Sequence, residues 1–334
     1  MLEKDFNEIA NMIEQRSYNA YRKVNEELIM LYFDIGKYVS EKLESAKWGS
    51  KTIEHLANYL KERYPKMKGF KSRRSIYLIK QFYDTYKDNE IVQPLVAQIG
   101  WTNNTIILSR TKTMEEKEFY IRLCIQNNYS KRELERQIKS GYYERYMLSN
   151  KNDNALIPLD NKLNPRILDT YIFDFLDLPD KYVEKDIRKG LVSNMKDFIL
   201  EIGKDFTFIG EEYRLTLNGE EYYIDLLFYN RAYKQLVAFE LKKGKFKPEY
   251  ISKMNFYLSL LNEQVKKDDE VDSLGVILCS DKDEQVVKFT MGENNNTKVS
   301  NYSLSLIDKS ILENKLKELN MLYDEKQLEE INKV

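Results

Sequence analysis

Residues 221–243 read EYYIDLLFYNRAYKQLVAFELKK. Two apolar runs, 224–228 and 236–241, flank a polar turn, the pattern of a β-hairpin. Each run carries charge where a strand so apolar should have none: Asp225 in the first, Glu240 and Lys242 at the end of the second. The strand period of two puts Glu240 and Lys242 on one face. A turn centred on Ala232-Tyr233 sets Asp225 directly across from Glu240, with roughly 5 Å between their Cβ atoms. Two carboxylates that close repel each other unless a proton or a cation lies between them. A hard divalent cation with oxygen ligands relieves the repulsion, and Mg²⁺ favours one or two carboxylates plus substrate phosphate, with Mn²⁺ as a substitute. Lys242 points at the same volume, where it can offset the charge of a scissile phosphate or position or activate the attacking water. Asp225, Glu240 and Lys242 are therefore the expected catalytic residues, and Asp225 and Glu240 the expected metal ligands. A lone Glu-x-Lys at a strand end is ordinarily a solvated edge. The aspartate in register on an apolar neighbour is what favours chemistry here.

Outward from the hairpin, the pattern predicts a strand over 206–217, joined to 221–229 by Asn218-Gly219, a strong two-residue hairpin signal. A helix is expected over 181–203, and another over 248–262 with Pro248 in its first turn. A strand at 274–280, a further strand near 302–307 and helices near 309–320 and 324–332 follow. The fold class expected is mixed α+β and α/β, with a core in the order α-β-β-β-α-β.

The first half reads as helical throughout. Ile9, Ile13, Tyr21, Val24, Leu28, Leu31 and Ile35 recur at helical spacing, with Gly36 tolerated in the same helix. Further helices are predicted at 50–63, at 72–86 with Ser72 as N-cap, and at 102–109, 114–127 and 130–147. Ser130 and Glu133 form a capping box at the start of the last. The stretch 151–165 is polar, has two prolines and lacks periodicity, so it reads as a linker. The expected domains are thus a helical domain over 1–150 and a nuclease domain over 166–334, in keeping with 334 residues being more than one core comfortably fills.

Composition excludes several classes. A single histidine, His55, rules out a Ser-His-Asp triad and a multi-histidine metal site. Two cysteines, one in each half, give neither a disulfide framework nor zinc spacing. No apolar run approaches the roughly 20 residues of a membrane helix, and the acidic N-terminus does not read as a secretory signal. A cytoplasmic setting is expected. Net charge is −1, so nucleic-acid binding has to use a local patch. Residues 61–87 supply one, with nine Lys or Arg against two acids and a local charge of +7. Helix, short loop, helix is compatible there with a helix-turn-helix whose second helix begins at Lys71, Arg73 and Arg74, the expected nucleic-acid-binding residues. A solvated amphipathic helix pair is the plainer alternative.

The order of these motifs resembles the PD-(D/E)XK phosphodiesterase superfamily, and more narrowly the YhcG-like family of PDDEXK nucleases. FILEIGKDFTFIGEEYRL (198–215), YYIDLLFYNR (222–231) and LVAFELKKGKFKPEYISKMNFYL (236–258) resemble its C-terminal domain. The segments at 47–86 and 128–146 resemble its N-terminal domain. The resemblance implies a restriction-endonuclease-like core and a Mg²⁺-dependent endonuclease acting on nucleic acid, DNA before RNA. It assigns metal ligation to Asp225 and Glu240 and the lysine role to Lys242. It also suggests a glutamate from the first helix of the core, for which Glu201 is the candidate, although Glu201 borders the helix end and reads as solvated. Lys253 holds the place of a polar residue facing the site, and Glu212 falls across the Asn218-Gly219 hairpin from Asp225. Where the family is expected to carry Trp-Ser-His-Asn, this chain has Trp101-Thr102-Asn103-Asn104. A non-catalytic nucleic-acid-binding or assembly module that kept the fold is the competing reading. A homo-oligomer or a protein partner through the first domain is left open. A carboxylate-pair glycosidase fits poorly, because it has no need of a lysine two residues from one acid.

Overall fold

A computed structural model describes residues 2–67, 69–149, 167–291 and 296–331, with side chains described between residues 6 and 321. The stretch read as a linker, 151–165, lies outside the described residues. Two compact units divide between Glu135 and Arg136. The first contains α1 (Leu2–Glu44), α2 (Ser50–Arg63), α3 (Arg73–Tyr86), α4 (Gln93–Val96), α5 (Trp101–Arg110) and α6 (Met114–Asn127). The division falls inside α7 (Lys131–Lys139), and α8 (Tyr142–Ser149) belongs to the second unit. The single helix expected over 130–147 is thus two helices, broken at residues 140–141.

In the first unit, Ser72 caps α3 as its sequence predicts. The Ser75 amide donates to Ser72 Oγ at 3.2 Å, and Ser75 Oγ accepts from the Ser72 amide at 3.0 Å. Ile76, Ile79, Phe82 and Tyr86 form the buried face of α3. That face packs on α1, where Phe33 meets Phe82 edge-on at 6.1 Å between ring centroids. Gly36 makes the packing feasible: a Cβ there would lie 2.6 Å from the Ile79 carbonyl oxygen and 2.6 Å from Tyr83 Cβ. The Trp101–Asn104 stretch is an interior support. Trp101 packs on Tyr32 and Phe82, and the buried Asn104 amide donates to Val96 O at 2.9 Å and Ile99 O at 3.2 Å.

The second unit continues with β1 (Thr170–Ile172), α9 (Glu184–Ser193), α10 (Met195–Ile202), β2 (Phe206–Leu217), β3 (Glu220–Asn230) and β4 (Gln235–Lys245). It then runs through α11 (Glu249–Gln264), β5 (Val271–Asp281), α12 (Glu284–Met291), β6 (Thr297–Ser303) and α13 (Lys309–Ile331). The sheet order is β1-β6-β5-β4-β3-β2. Strands β2, β3 and β4 form an antiparallel meander, β5 joins β4 in parallel after the α11 crossover, and β6 and β1 extend the parallel side. This is the anticipated α-β-β-β-α-β core with a strand added at its far edge. The single helix expected over 181–203 is broken at Asn194, and the two helices expected after residue 309 are one. The last strand lies at 297–303, earlier than expected, because its sequence TKVSNYS is too polar to announce itself.

Asn218 and Gly219 both have positive φ, +52° and +87°, as the two central residues of a type I′ hairpin require. The sheet is covered on both faces. Phe198 of α10 packs edge-on against Phe228 and Phe239 at 5.6 and 5.9 Å. On the opposite face Leu227, Ala238 and Ile277 pack with Met254, Leu258 and Leu261 of α11. Burial on both sides explains why β4 and β5 are nearly continuous apolar runs. It also makes the charges inside them conspicuous.

Candidate active site

Strands β3 and β4 pair Leu226 with Phe239 and Asn230 with Gln235, the register that a turn centred on Ala232-Tyr233 demands. One step further, where Asp225 and Glu240 would face each other, the backbone ladder ends. The Leu241 amide there donates to Asp225 Oδ2 at 2.8 Å instead. A carboxylate has replaced a strand as hydrogen-bond partner, so the two strand ends stay tied while a polar site opens between them. Glu240 shares a face with Ala238, the face covered by α11, and is buried at 3% exposure.

The Lys242 ammonium donates to Glu240 Oε1 at 2.9 Å and stands 3.5 Å from Glu184. From α11, Lys253 reaches the same oxygen at 2.5 Å. The other oxygen, Glu240 Oε2, is buried with no hydrogen-bond partner among the described residues. Burial pulls the Lys242 ammonium down, but the charge and hydrogen bond of Glu240 and the charge of Glu184 outweigh it, so its pKa is held above the ordinary lysine value. Lys253 behaves alike: burial lowers it, and its hydrogen bond to Glu240 with the adjacent charge raises it on balance. Each lysine also lies over a ring of α11, Lys242 over Tyr250 at 5.5 Å and Lys253 over Tyr257 at 5.1 Å.

Helix α9 supplies what the sequence reading missed. Glu184 in its first turn and Arg188 one turn later share a face beside the buried Ile187 and Leu191. The Arg188 guanidinium donates to Asp225 Oδ1 at 2.9 Å and lies 2.6 Å from Glu212 Oε1. Glu212 is thus a neighbour of Asp225 through a shared arginine. It also sits at φ +46°, a left-handed conformation that costs a non-glycine residue energy. The i, i+4 pair Glu184/Arg188 was the available signal, but it is indistinguishable in sequence from an exposed helix ion pair.

Glu201 is corrected. It is completely buried, not solvated, and its carboxylate is held by Arg145 at 2.5 Å, Arg136 at 2.8 Å and the Ile172 amide at 2.8 Å. Burial pushes its carboxyl upward, but the two guanidiniums and the amide outweigh that and hold the pKa below the ordinary glutamate range. The repulsion expected between Asp225 and Glu240 is corrected too. Arg188, Lys242 and Lys253 already supply balancing charge.

The residues fit a hard divalent cation on one observation, the partnerless buried oxygen of Glu240. With Asp225 next to it, the donor set is two carboxylates, the number Mg²⁺ favours when water and phosphate complete its shell. No group of three or more His, Cys, Asp or Glu able to hold a metal occurs among the described residues. An ion bound entirely by protein side chains is therefore not what this site suits.

The other predicted set lies in the first unit. Lys71, Arg73 and Arg74 stand exposed at the start of α3. Lys71 donates to the Pro65 carbonyl at 2.5 Å, and Arg73 lies 5.6 Å from the Tyr77 ring. Arg74 lines a cleft of about 620 Å³ with Tyr77, Arg110 and Lys131. The connection between α2 and α3 runs from residue 64 to 72, longer than the three- or four-residue turn of a helix-turn-helix.

Comparison with known proteins agrees with this geometry. Residues 164–317 match the YhcG PDDEXK nuclease domain, and residues 8–145 match the DUF1016 N-terminal domain. The chain is 26% identical to an Escherichia coli (strain K12) protein named "Putative nuclease YhcG", over 92% of each chain. Among solved structures, a repair endonuclease from Pyrococcus abyssi is 18% identical with a TM-score of 0.27, covering 38% of this chain. EndoMS in apo form is 12% identical with a TM-score of 0.24, covering 39%. Each of these matches spans about half the solved chain, 50% and 49% respectively.

Proposed function

The chain belongs to the YhcG-like family of PDDEXK nucleases, and we propose that it hydrolyses phosphodiester bonds of DNA in preference to RNA. Asp225 and Glu240 are the residues that would hold Mg²⁺, or Mn²⁺ in its place. The ion supplies a low-pKa water nucleophile and charge stabilisation for the leaving oxygen. The observation that carries the reading is the buried, partnerless Oε2 of Glu240, with its sister oxygen held by Lys242 and Lys253.

The chain's own side chains divide the remaining work. Lys242 stays protonated near neutral pH and offers its ammonium to a scissile phosphate oxygen or to the attacking water. Lys253 holds the Glu240 carboxylate in orientation from the side of α11. Arg188 does the same for Asp225, and its guanidinium is suited to the phosphate next in line. Lys71, Arg73 and Arg74 are proposed to contact the backbone phosphates of the substrate. The setting proposed is the cytoplasm; among the described residues no helix is long and apolar enough to cross a membrane.

The test is a substrate panel of supercoiled plasmid, linear duplex, single-stranded DNA and RNA, each with Mg²⁺, Mn²⁺ or a chelator. Metal-dependent cleavage, faster on DNA than on RNA, is the expected result. Binding to the same substrates without cleavage under any metal would favour the non-catalytic module.

A further inference from the structure

The first half of α1 exposes an apolar stripe on the flank away from the interior of its unit. Phe6, Ile9, Ile13 and Val24 are 63%, 55%, 61% and 67% exposed, and Tyr21 is 78% exposed. The buried residues of this helix, Ile29, Tyr32 and Val39, lie on a different face. At 100° per residue, Phe6, Ile13 and Val24 fall within about 20° of one another around the helix axis. Isolated helices of this length are marginal in water, and their stability comes from packing an amphipathic face. A contiguous exposed apolar stripe marks an interaction surface.

The sequence of the stripe indicates what covers it. It is nearly a palindrome about Gln15: Phe6 reflects onto Val24, Ile9 onto Tyr21, Ala10 onto Ala20 and Met12 onto Tyr18. Only Ile13 reflects onto a small polar residue, Ser17. Two copies of the helix running in opposite directions, crossing at Gln15, would set each apolar side chain in a layer with another, as antiparallel helix pairs do. The charges match the same arrangement. Glu8 and Glu14 precede the centre, while Arg16, Arg22 and Lys23 follow it. Antiparallel overlay brings the acidic half beside the basic half, whereas parallel in-register overlay stacks like on like.

We propose that this protein forms a two-fold homodimer in which the α1 helices pair antiparallel through residues 6–24. The contact is isologous, so it closes on itself and produces a dimer and not a filament. It depends on neither the metal nor the nuclease reading.

Sedimentation equilibrium of the full chain tests it, with cysteine cross-linking to set the direction. The wild type should run at twice its chain mass of 39.9 kDa, and the double variant Ile13→Glu, Val24→Glu should run at the single-chain mass. The variant sites are exposed, so the rest of the fold should survive, and an unchanged thermal transition of the remaining structure checks this. Mixing single variants Phe6→Cys and Val24→Cys should give a mixed disulfide on oxidation, while Phe6→Cys alone should not link to itself. The native Cys124 and Cys279 are buried and do not interfere. A monomeric wild type, a dimer that survives the double glutamate variant, or self-linking by Phe6→Cys alone would each overturn the proposal.

Discussion

Arg188 on α9 donates from Nη1 to Oδ1 of Asp225 on β3 at 2.9 Å, and the same guanidinium meets Glu212 at 2.6 Å. Both partners of the Arg188–Asp225 pair are largely buried, at 11% and 18% side-chain exposure. Asp225 is therefore the counter-ion of a buried cation as well as half of a carboxylate pair, and its second oxygen ties down the Leu241 amide. Two opposed acids are stable on adjacent strands because α9 and α11 bring cations to each of them.

From that pairing, Asp225→Asn should lose cleavage and also lose stability. The charge removed leaves Arg188 short of a partner, which costs about 1–2 kcal/mol for a charge-assisted hydrogen bond that is not fully shielded from water. Urea unfolding without metal checks the sign. An Asp225→Asn protein as stable as wild type, or more so, would mean that carboxylate repulsion outweighs the arginine contact.

Lys242→Ala should reduce cleavage by about 10²–10⁴-fold, the range for a positioned proton-transfer or charge-stabilising side chain. The metal should still bind, because Lys242 is not among the proposed ligands. The readout is the Mg²⁺-induced rise in melting temperature, which follows from a ligand preferring the folded state and should persist in the variant. Cleavage at the wild-type rate would remove Lys242 from the site.

Glu201 sets an acid-stability prediction. Its folded-state pKa is lowered, so its contribution is fully present above the unfolded value near 4.3 and is lost as pH falls through the lower folded value. Glu201→Gln should cost about 3–5 kcal/mol at neutral pH, because Arg145 stays buried without its counter-charge. Below the unfolded value the variant should lose stability less steeply than wild type. Chemical denaturation between pH 7 and pH 3 reads both effects, and parallel curves would place the acid sensitivity elsewhere.

Replacing Lys71, Arg73 and Arg74 together with alanine should weaken DNA binding and flatten its salt dependence, by about 0.9 log unit for each duplex phosphate no longer neutralised. Fluorescence anisotropy at several salt concentrations measures the slope. An unchanged slope would assign this surface to a role other than phosphate binding.

What sequence could reveal here was local. Asn218-Gly219 specified its hairpin because few residue pairs accept two positive φ angles, and the Ala232-Tyr233 turn carried the strand register with it. Ser72 and Ser130 announced helix starts through hydrogen bonds spanning three residues. What stayed hidden was long-range. Glu201 looked solvated because Arg136 and Arg145 lie 65 and 56 residues away in the chain. Arg188 looked like an ordinary helix charge because Asp225 is 37 residues on. The Arg145–Glu201 pair also ties α8 into the second unit, although its sequence continues the helical texture of the first half.

The most direct test of the proposed site is single-turnover cleavage of an end-labelled DNA duplex by wild type and Glu240→Gln across a Mg²⁺ titration. The substitution preserves the shape of the side chain and its place beside Lys242 and Lys253 while removing the charge of the partnerless oxygen. The expected result is a saturable Mg²⁺-dependent rate for wild type and no cleavage above background for Glu240→Gln at any Mg²⁺ concentration. Cleavage by Glu240→Gln at the wild-type rate and metal dependence would show that the Asp225–Glu240 pair is not where this protein cuts nucleic acid.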